Sequence, residues 1–333
     1  MTAEHIHANE GVVQAGDAAD GRLKDIVVGV DGSEESFAAL KWALIEAGKT
    51  GQHVNAVFGW THSWDVGSEP DSDEAWKTVR KQITETLRSW VDKASEGIDF
   101  NPENLKLTSV KASGSAALLQ IGSYAEQIVV GRRSLGRVAR WFLGSMSSSL
   151  AEEAKVPVTV VRAGARDSET SMQDAIARTL NPDAVDDTSR GPERHLPVVV
   201  GIDGSKGAQR ALRFAVHAAA IDGRPLHVLF CWQMKDLGRI PGFETTVPSV
   251  AEGQERAEKI LRRTLAEADI PESIDVRPSA FHISAGKGLV SASRYAHQIV
   301  VGTRGLSGLD AHFLGSVSSQ VLNDAECTVT VVH

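Results

Sequence analysis

Apolar residues along this chain follow two alternating rhythms. Short, almost unbroken runs of aliphatic and β-branched residues appear at IVVGV (from Ile26), HVNAVFGW (from His53), LTSVKA (from Leu107), QIVVG (from Gln127) and PVTVV (from Pro157). They lack the polar alternation of a half-exposed strand, so they predict parallel strands covered on both faces. Between them lie stretches with helical spacing. ESFAALKWALIEAG puts Phe37, Leu40 and Leu44 on one stripe behind a capping Ser33, and a longer helix is predicted over DEAWKTVRKQITETLRSWVDKAS. Strands alternating with helices predict a doubly wound α/β domain with right-handed crossovers.

The whole pattern then repeats. DIVVGVDGSEES returns as PVVVGIDGSKGA, YAEQIVVGRRS as YAHQIVVGTRG, WFLGSMSSSL as HFLGSVSSQV, and VPVTVVR as CTVTVVH. Asp31 and Trp60 precede Asp203 and Trp232 by 172 residues; Gly131 and Gly144 precede Gly302 and Gly315 by 171. One register with a single-residue slip marks an internal duplication. The organisation predicted is a floppy tail over 1–22, one domain over 23–162, a linker over 163–195 and a second domain over 196–333, each domain holding a five-stranded parallel sheet. The linker is polar and rich in Asp, Arg, Ser and Thr, and MQDAIARTL is its one segment compatible with a short helix.

Composition narrows the function classes. Of 333 residues, 42% are hydrophobic and 23% charged, values of a soluble globular protein, and no apolar run is long enough to predict a membrane span. The polar, acidic start carries no basic segment followed by an apolar one, so the expected location is cytoplasmic. A net charge of −8 argues against general affinity for nucleic acid or anionic lipid. Cys231 and Cys327 have no metal or redox spacing and read as buried thiols; the eleven histidines form no ligand cluster, so no metal site is expected. The tryptophans near strand ends, among them Trp60, Trp141 and Trp232, are read as packing residues.

Ligands of such sheets bind beyond the carboxyl ends of the strands, where strand order reverses. Two segments fall there. Val30–Ser33 and Ile202–Ser205 place an aspartate, Asp31 or Asp203, at the end of the first strand, where a carboxylate can accept from an adenine amino group or ribose hydroxyls. Asp and Gly also shape turns and cap helices, and taken alone that reading is the stronger. The second segment is more specific: Gly302-Thr-Arg-Gly305, nine residues, then Gly315-Ser316, following a strand and opening a helix. Glycines at 302 and 305 let backbone approach a ligand, Gly315 and Ser316 present free N–H groups to an anion, and Ser316 and Ser318 add hydroxyls.

This G-x2-G-x9-G-[S/T] loop, with the V-D-G-S strand end, resembles the ATP-binding branch of the universal stress protein family, over about Leu23–Arg162 and Leu196–His333. The resemblance implies strand order 3-2-1-4-5, adenine near the strand-one aspartate, and phosphates on the glycine loop. It also implies pairing of domains through the last strand, between tandem copies or in a homodimer. Carried over by position, it gives Asp203, Cys231, Gly302, Arg304, Gly305, Gly315, Ser316, Val317 and Ser318 in the second copy. In the first it gives Asp31, Gly59, Gly131, Ser134, Gly144, Ser145 and Ser147. Ser134 stands where the second copy has Gly305, a change costing ~1 kcal/mol if φ there is positive. Arg132, Arg133, Arg137 and Arg140 bring compensating positive charge to that loop.

The chain has no G-x-S-x-G elbow and no G-x4-G-K-[S/T] loop. The expectation is therefore a non-enzymatic regulator in the stress response that binds ATP, with or without Mg, at one site per repeat. A dimerisation scaffold that no longer holds nucleotide, or a slow ATPase, stands as the alternative.

Overall fold

A computed structural model describes residues 24–61, 72–132, 145–163, 172–181, 196–234, 249–303 and 314–333. The first repeat runs β1 Ile26–Gly29, α1 Glu34–Thr50, β2 Val54–Trp60, α2 Asp73–Ser95, β3 Leu105–Lys111, α3 Gly114–Ile121, β4 Gln127–Gly131, α4 Ser145–Glu153 and β5 Val158–Val161. A further helix, α5, covers Met172–Leu180. The second repeat runs β6 Val198–Gly201, α6 Lys206–Asp222, β7 Leu226–Cys231, α7 Val250–Ala266, β8 Val276–Phe281, α8 Ala285–Ala292, β9 Gln298–Gly302, α9 Ser316–Asp324 and β10 Thr328–Val332. The first helix begins at the predicted cap, where the Ser33 side chain accepts from Ser36 N, and in the second repeat Ser205 takes the same role, accepting from Ala208 N. Each ends on a left-handed glycine, Gly51 at φ +72° and Gly223 at φ +59°.

All ten strands form one sheet, in the order β3-β2-β1-β4-β5-β10-β9-β6-β7-β8. Each half has the 3-2-1-4-5 order with parallel pairing throughout, as buried, unalternating strands require. Only the join is antiparallel: β10 lies on β5 with Thr330 opposite Thr159, Val329 opposite Val160 and Val331 opposite Val158. On one face a single core crosses this join, combining Leu118, Leu150 and Val158 with Leu289, Val321 and Val331. On the other face each repeat keeps a separate core, under α1 and α2 or under α6 and α7.

The segment expected to be a linker contributes to that shared core. Ala177 and Leu180 of α5 are buried in it and Ile176 packs against it. Positions 176, 177 and 180 form one apolar stripe at helical spacing, so a nine-residue helix too short to persist alone is held by packing.

A buried polar chain crosses the join. Gln298 Nε2 donates to Thr330 Oγ1 (2.6 Å), and Thr159 Oγ1 donates to Gln127 Oε1 (2.8 Å). Because the Thr159 proton is committed, Thr330 must donate across the 2.7 Å gap to Thr159. Gln127 Nε2 then donates to Glu46 Oε1 (3.0 Å), so every hydrogen bond points from the second repeat toward one carboxylate of the first. Glu46 lines a small pocket between α1 and α6 with Trp42, Phe214, Ala218, Asp222 and Gln298. Burial, then the nearby Asp222 charge, push its carboxyl up to about 8, against the opposing effect of the Gln127 hydrogen bond.

The sign of the resulting pH dependence follows from linkage. Between about pH 4.5, the ordinary carboxylate value, and about pH 8, the folded chain holds a proton that the unfolded chain has released. The stability contributed by protonated Glu46 is therefore complete below that window and lost as pH rises through it. Glu46→Gln, which keeps an acceptor for Gln127, is expected to match the wild type near pH 5 and exceed it at pH 9 by on the order of 2–4 kcal/mol in urea unfolding. Parallel stability curves for the two proteins from pH 5 to 9 would show that Glu46 does not titrate with folding.

Candidate functional site

The carboxyl ends of β6 and β9 are neighbours, since Val200 pairs with Val300, and strand order reverses between them. Just beyond β6, Gly204 at φ +80° turns the chain into α6, and Asp203 Oδ1 accepts from Ser205 N (2.9 Å). The turn-shaping role of Asp203 is therefore real. Its second carboxylate oxygen has no hydrogen bond among the described residues, and the side chain is exposed, so one acceptor faces solvent. Asp31 is built alike: Oδ1 accepts from Ser33 N (3.1 Å) beside Gly32 at φ +84°.

Two helix N-termini meet at the end of β9. A Cβ on Gly302 would stand 2.6 Å from the backbone C and O of Gly207, in the first turn of α6. One on Gly207 would stand 2.6 Å from Thr303 O. From the other side, Ser318 Oγ in the first turn of α9 donates to Gly302 O (2.9 Å). Gly315 is the N-cap of α9 in extended conformation (φ −64°, ψ 151°) and makes no side-chain cap, so the first N–H groups of α9 keep no side-chain partner there. Opposing carbonyl ends are far away, and both dipoles present their positive ends to one locality, the elementary requirement for holding an anion.

These contacts revise several expected roles. Gly302 is demanded by the close crossing of α6 before any ligand is considered. Gly131 does the same in the first repeat, where a Cβ would meet the Glu35 carbonyl and lie 2.8 Å from Ser36 N. Ser318 is buried and its only proton is spent on Gly302 O, so it fastens the loop to α9 instead of supplying a spare donor. Ser147 is buried at the corresponding place, Ser316 is exposed and Val317 half-buried. Cys231 does not face the β6 turn. Its Sγ fills the space left by Gly288 of α8 inside the shared core, and burial pushes the thiol up to about 12. Its counterpart Gly59 is tight against Gly114, whose Cα would lie 2.8 Å from a Cβ at position 59. Ser134, Gly144, Arg304 and Gly305 lie outside the described residues, as do Arg133, Arg137, Arg140, Trp141 and the side chain of Ser145.

The first turns of the two leading helices differ in charge. α1 opens with Glu34 and Glu35, the former paired with Lys93 (2.9 Å), whereas α6 opens with Lys206 and Gly207. One of the four arginines expected to compensate the first loop is engaged elsewhere: the Arg132 guanidinium reaches the carbonyls of Asn323 and Ala325 in the other repeat. Sequence reading missed Gly207 and this Arg132 contact. For Gly207 a signal was present, a glycine one position inside a predicted helix, where propensity gives no reason for it. The tryptophan reading holds for Trp232, which is fully buried, stacked on His282 at 4.4 Å, and donates to Gln254 Oε1 (2.9 Å).

Comparison with known proteins gives a consistent picture. A universal stress protein of Mycolicibacterium smegmatis is 30% identical over 320 residues, covering 92% of this chain and 96% of the relative. One of Mycobacterium tuberculosis is 28% identical over 315 residues, again covering 92% and 96%. The crystal structure of a universal stress protein from Archaeoglobus fulgidus shares the fold, with a TM-score of 0.60 at 19% identity over 92% of this chain and 97% of that one. The profile of the universal stress protein family matches residues 22–162 and again residues 196–333. With two such matches, in the register of the internal repeat, the chain belongs to the universal stress protein family.

Proposed function

We propose that this chain is an adenine-nucleotide-binding regulator that takes ATP, accompanied by Mg where the triphosphate carries it, with one site per repeat and the second repeat as the tighter site. The observation that carries the reading is the meeting of two helix N-termini at the end of β9, beside a solvent-facing carboxylate oxygen at the end of β6. Phosphates belong against the N–H groups of α9, and the base and ribose against Asp203. Family membership and the G-x2-G-x9-G-S loop support the same ligand. Lys206 adds positive charge where the first repeat has Glu34 and Glu35, which supports unequal affinities.

The proposed mechanism is occupancy without turnover: bound nucleotide ties the β6 turn to the first turn of α9 and biases whatever surface those segments present to partners. We further propose that the β5–β10 join persists in solution, so that the repeats act as each other's partner. This reading is favoured over a scaffold that recruits through its last strands, because the join already occupies both last-strand edges.

Nucleotide released from freshly purified, denatured protein and identified by mass spectrometry is expected to be ATP. Absence of nucleotide, together with no heat of ATP binding in calorimetry, would sink the reading. Gly315→Asp gives a sharper test because its two effects have opposite signs. The backbone at 315 suits an aspartate N-cap, so stability should hold or rise by about 0.5 kcal/mol, while the new carboxylate displaces the anion. ATP affinity of the second site is expected to fall on the order of 30-fold. Unchanged affinity would mean that phosphate lies elsewhere. Gly302→Ala should behave differently, losing about 1–3 kcal/mol in urea unfolding whether or not ATP is present, because its methyl meets backbone that cannot swing aside. Stability equal to wild type would refute the close crossing of β9 and α6.

A further inference from the structure

The two repeats are joined by a cluster of guanidinium contacts that their common plan does not contain. Arg132 follows Gly131, the first glycine of the first repeat's loop, and its backbone is pinned by donation to Val161 O (2.8 Å). Its side chain leaves that repeat. Nη1 donates to Ala325 O (2.6 Å) and Nη2 to Asn323 O, while Arg162 Nη1 also donates to Ala325 O (3.0 Å). Asn323 is in the last turn of α9 and Ala325 is its C-cap. Two guanidinium groups of the first repeat thus cap the carboxyl end of the helix whose amino end is the proposed phosphate site of the second.

Among the described residues nothing returns the contact. The counterpart of Arg132 is Thr303, whose N and Oγ1 both donate to Val332 O within its own repeat, and the counterpart of Arg162 is His333. The arrangement is costly enough to need a reason. Burial, then repulsion from Arg162, lower the Arg132 basicity, and only Asp324 and Cys327 oppose that. A partly buried guanidinium shared between carbonyls is more specific than a surface ion pair.

We propose that Arg132 is a positioning residue for the anion site of the second repeat, acting through α9. The inference rests on the reading of that site given above. A nine-residue helix is about 14 Å long and too short to be stable alone. Its presentation of N–H groups at Gly315–Ser318 depends on how both ends are held. Ser318 holds the amino end through Gly302 O; Arg132 and Arg162 hold the carboxyl end. Cations at the carboxyl end also offset the negative pole of the dipole, leaving its positive pole less opposed at the phosphate. The residue that starts the loop of one site therefore sets the strength of the other, and in one direction only.

The test reads the second site alone. Hydrogen exchange of the peptide covering 314–324, followed in the full-length chain during titration with ATP and separately with AMP, gives an apparent affinity for each. In the wild type, protection of this peptide by ATP stands for the site itself; its absence removes the site reading, whatever Arg132 does. Given that protection, Arg132→Met is expected to weaken ATP about 5-fold and AMP about 2-fold, because the effect scales with phosphate charge. Arg132→Lys, which keeps the charge, should recover most of the difference. Equal loss for ATP and AMP would indicate general loosening and overturn the proposal, as would no loss at all. Should Arg132→Met fail to fold by circular dichroism, Arg162→Met removes the second donor to Ala325 O and carries the same comparison.

Discussion

The structure depends first on the antiparallel pairing of β5 with β10. Each last strand reads Val-Thr-Val-Val, apolar on both faces, and in an isolated repeat each would be an open sheet edge. Paired, they turn two five-stranded sheets into one of ten strands, and on one face they let a single core run through both repeats. The pairing also brings Thr159 against Thr330, two hydroxyls at 2.7 Å with almost no exposure. Each hydroxyl has one proton, so the pair cannot be symmetric. The direction is set by Gln298 Nε2, which donates into Thr330, and by Gln127 Oε1, which accepts from Thr159; Gln127 in turn donates to Glu46, whose counterpart in the second repeat is Ala218.

Duplication produced two equal halves, and the structure shows where equality was given up. Trp42 faces Phe214 and Glu46 faces Ala218 across the pocket between α1 and α6. Glu35 stands where the second repeat has Gly207, and Arg132 and Arg162 stand where it has Thr303 and His333. These positions lie at the join or beside the first turns of helices, where a change in one repeat can alter how the sheet ends are held.

Much of this was legible in the sequence. Unbroken β-branched runs between amphipathic helices gave parallel strands, and the repeated blocks placed each strand twice; the helix cap at Ser33 and the order 3-2-1-4-5 that the resemblance implied both follow as expected. What was not legible were contacts between positions far apart in sequence, since spacing along a chain carries no information about which side chain faces which. Cys231 was carried over as a pocket residue by the resemblance, while the sequence itself read it as a buried thiol; its side chain lies against α8, where Gly288 makes room. Gly302 looked like a ligand glycine because of its loop, yet backbone already occupies the place of its missing methyl. Arg132 looked like a charge for its own loop, and its acceptors lie 191 and 193 residues on. α5 was obscured by a polar surrounding sequence whose apolar stripe gains meaning only against α8.

The same geometry bears on how a phosphate site can be built without a dedicated lysine. The two helices that meet at Gly302 are α6 and α9, and both have their far ends held by cations of the other repeat. Asp222 at the carboxyl end of α6 is a poor choice by itself, a negative charge on the negative pole of a helix. Lys49 of the first repeat meets it at 2.6 Å across the join, and Arg224 of its own repeat lies at 3.7 Å, so the charge on that pole is offset from both repeats. At α9 the guanidinium groups of Arg132 and Arg162 do the same for bare carbonyls. The positive poles of both helices are thereby left to act on one place, while the cations that offset their negative poles sit a helix length away. At the proposed site, this separation makes the first repeat part of the second repeat's anion chemistry without contributing an atom to the N–H cradle.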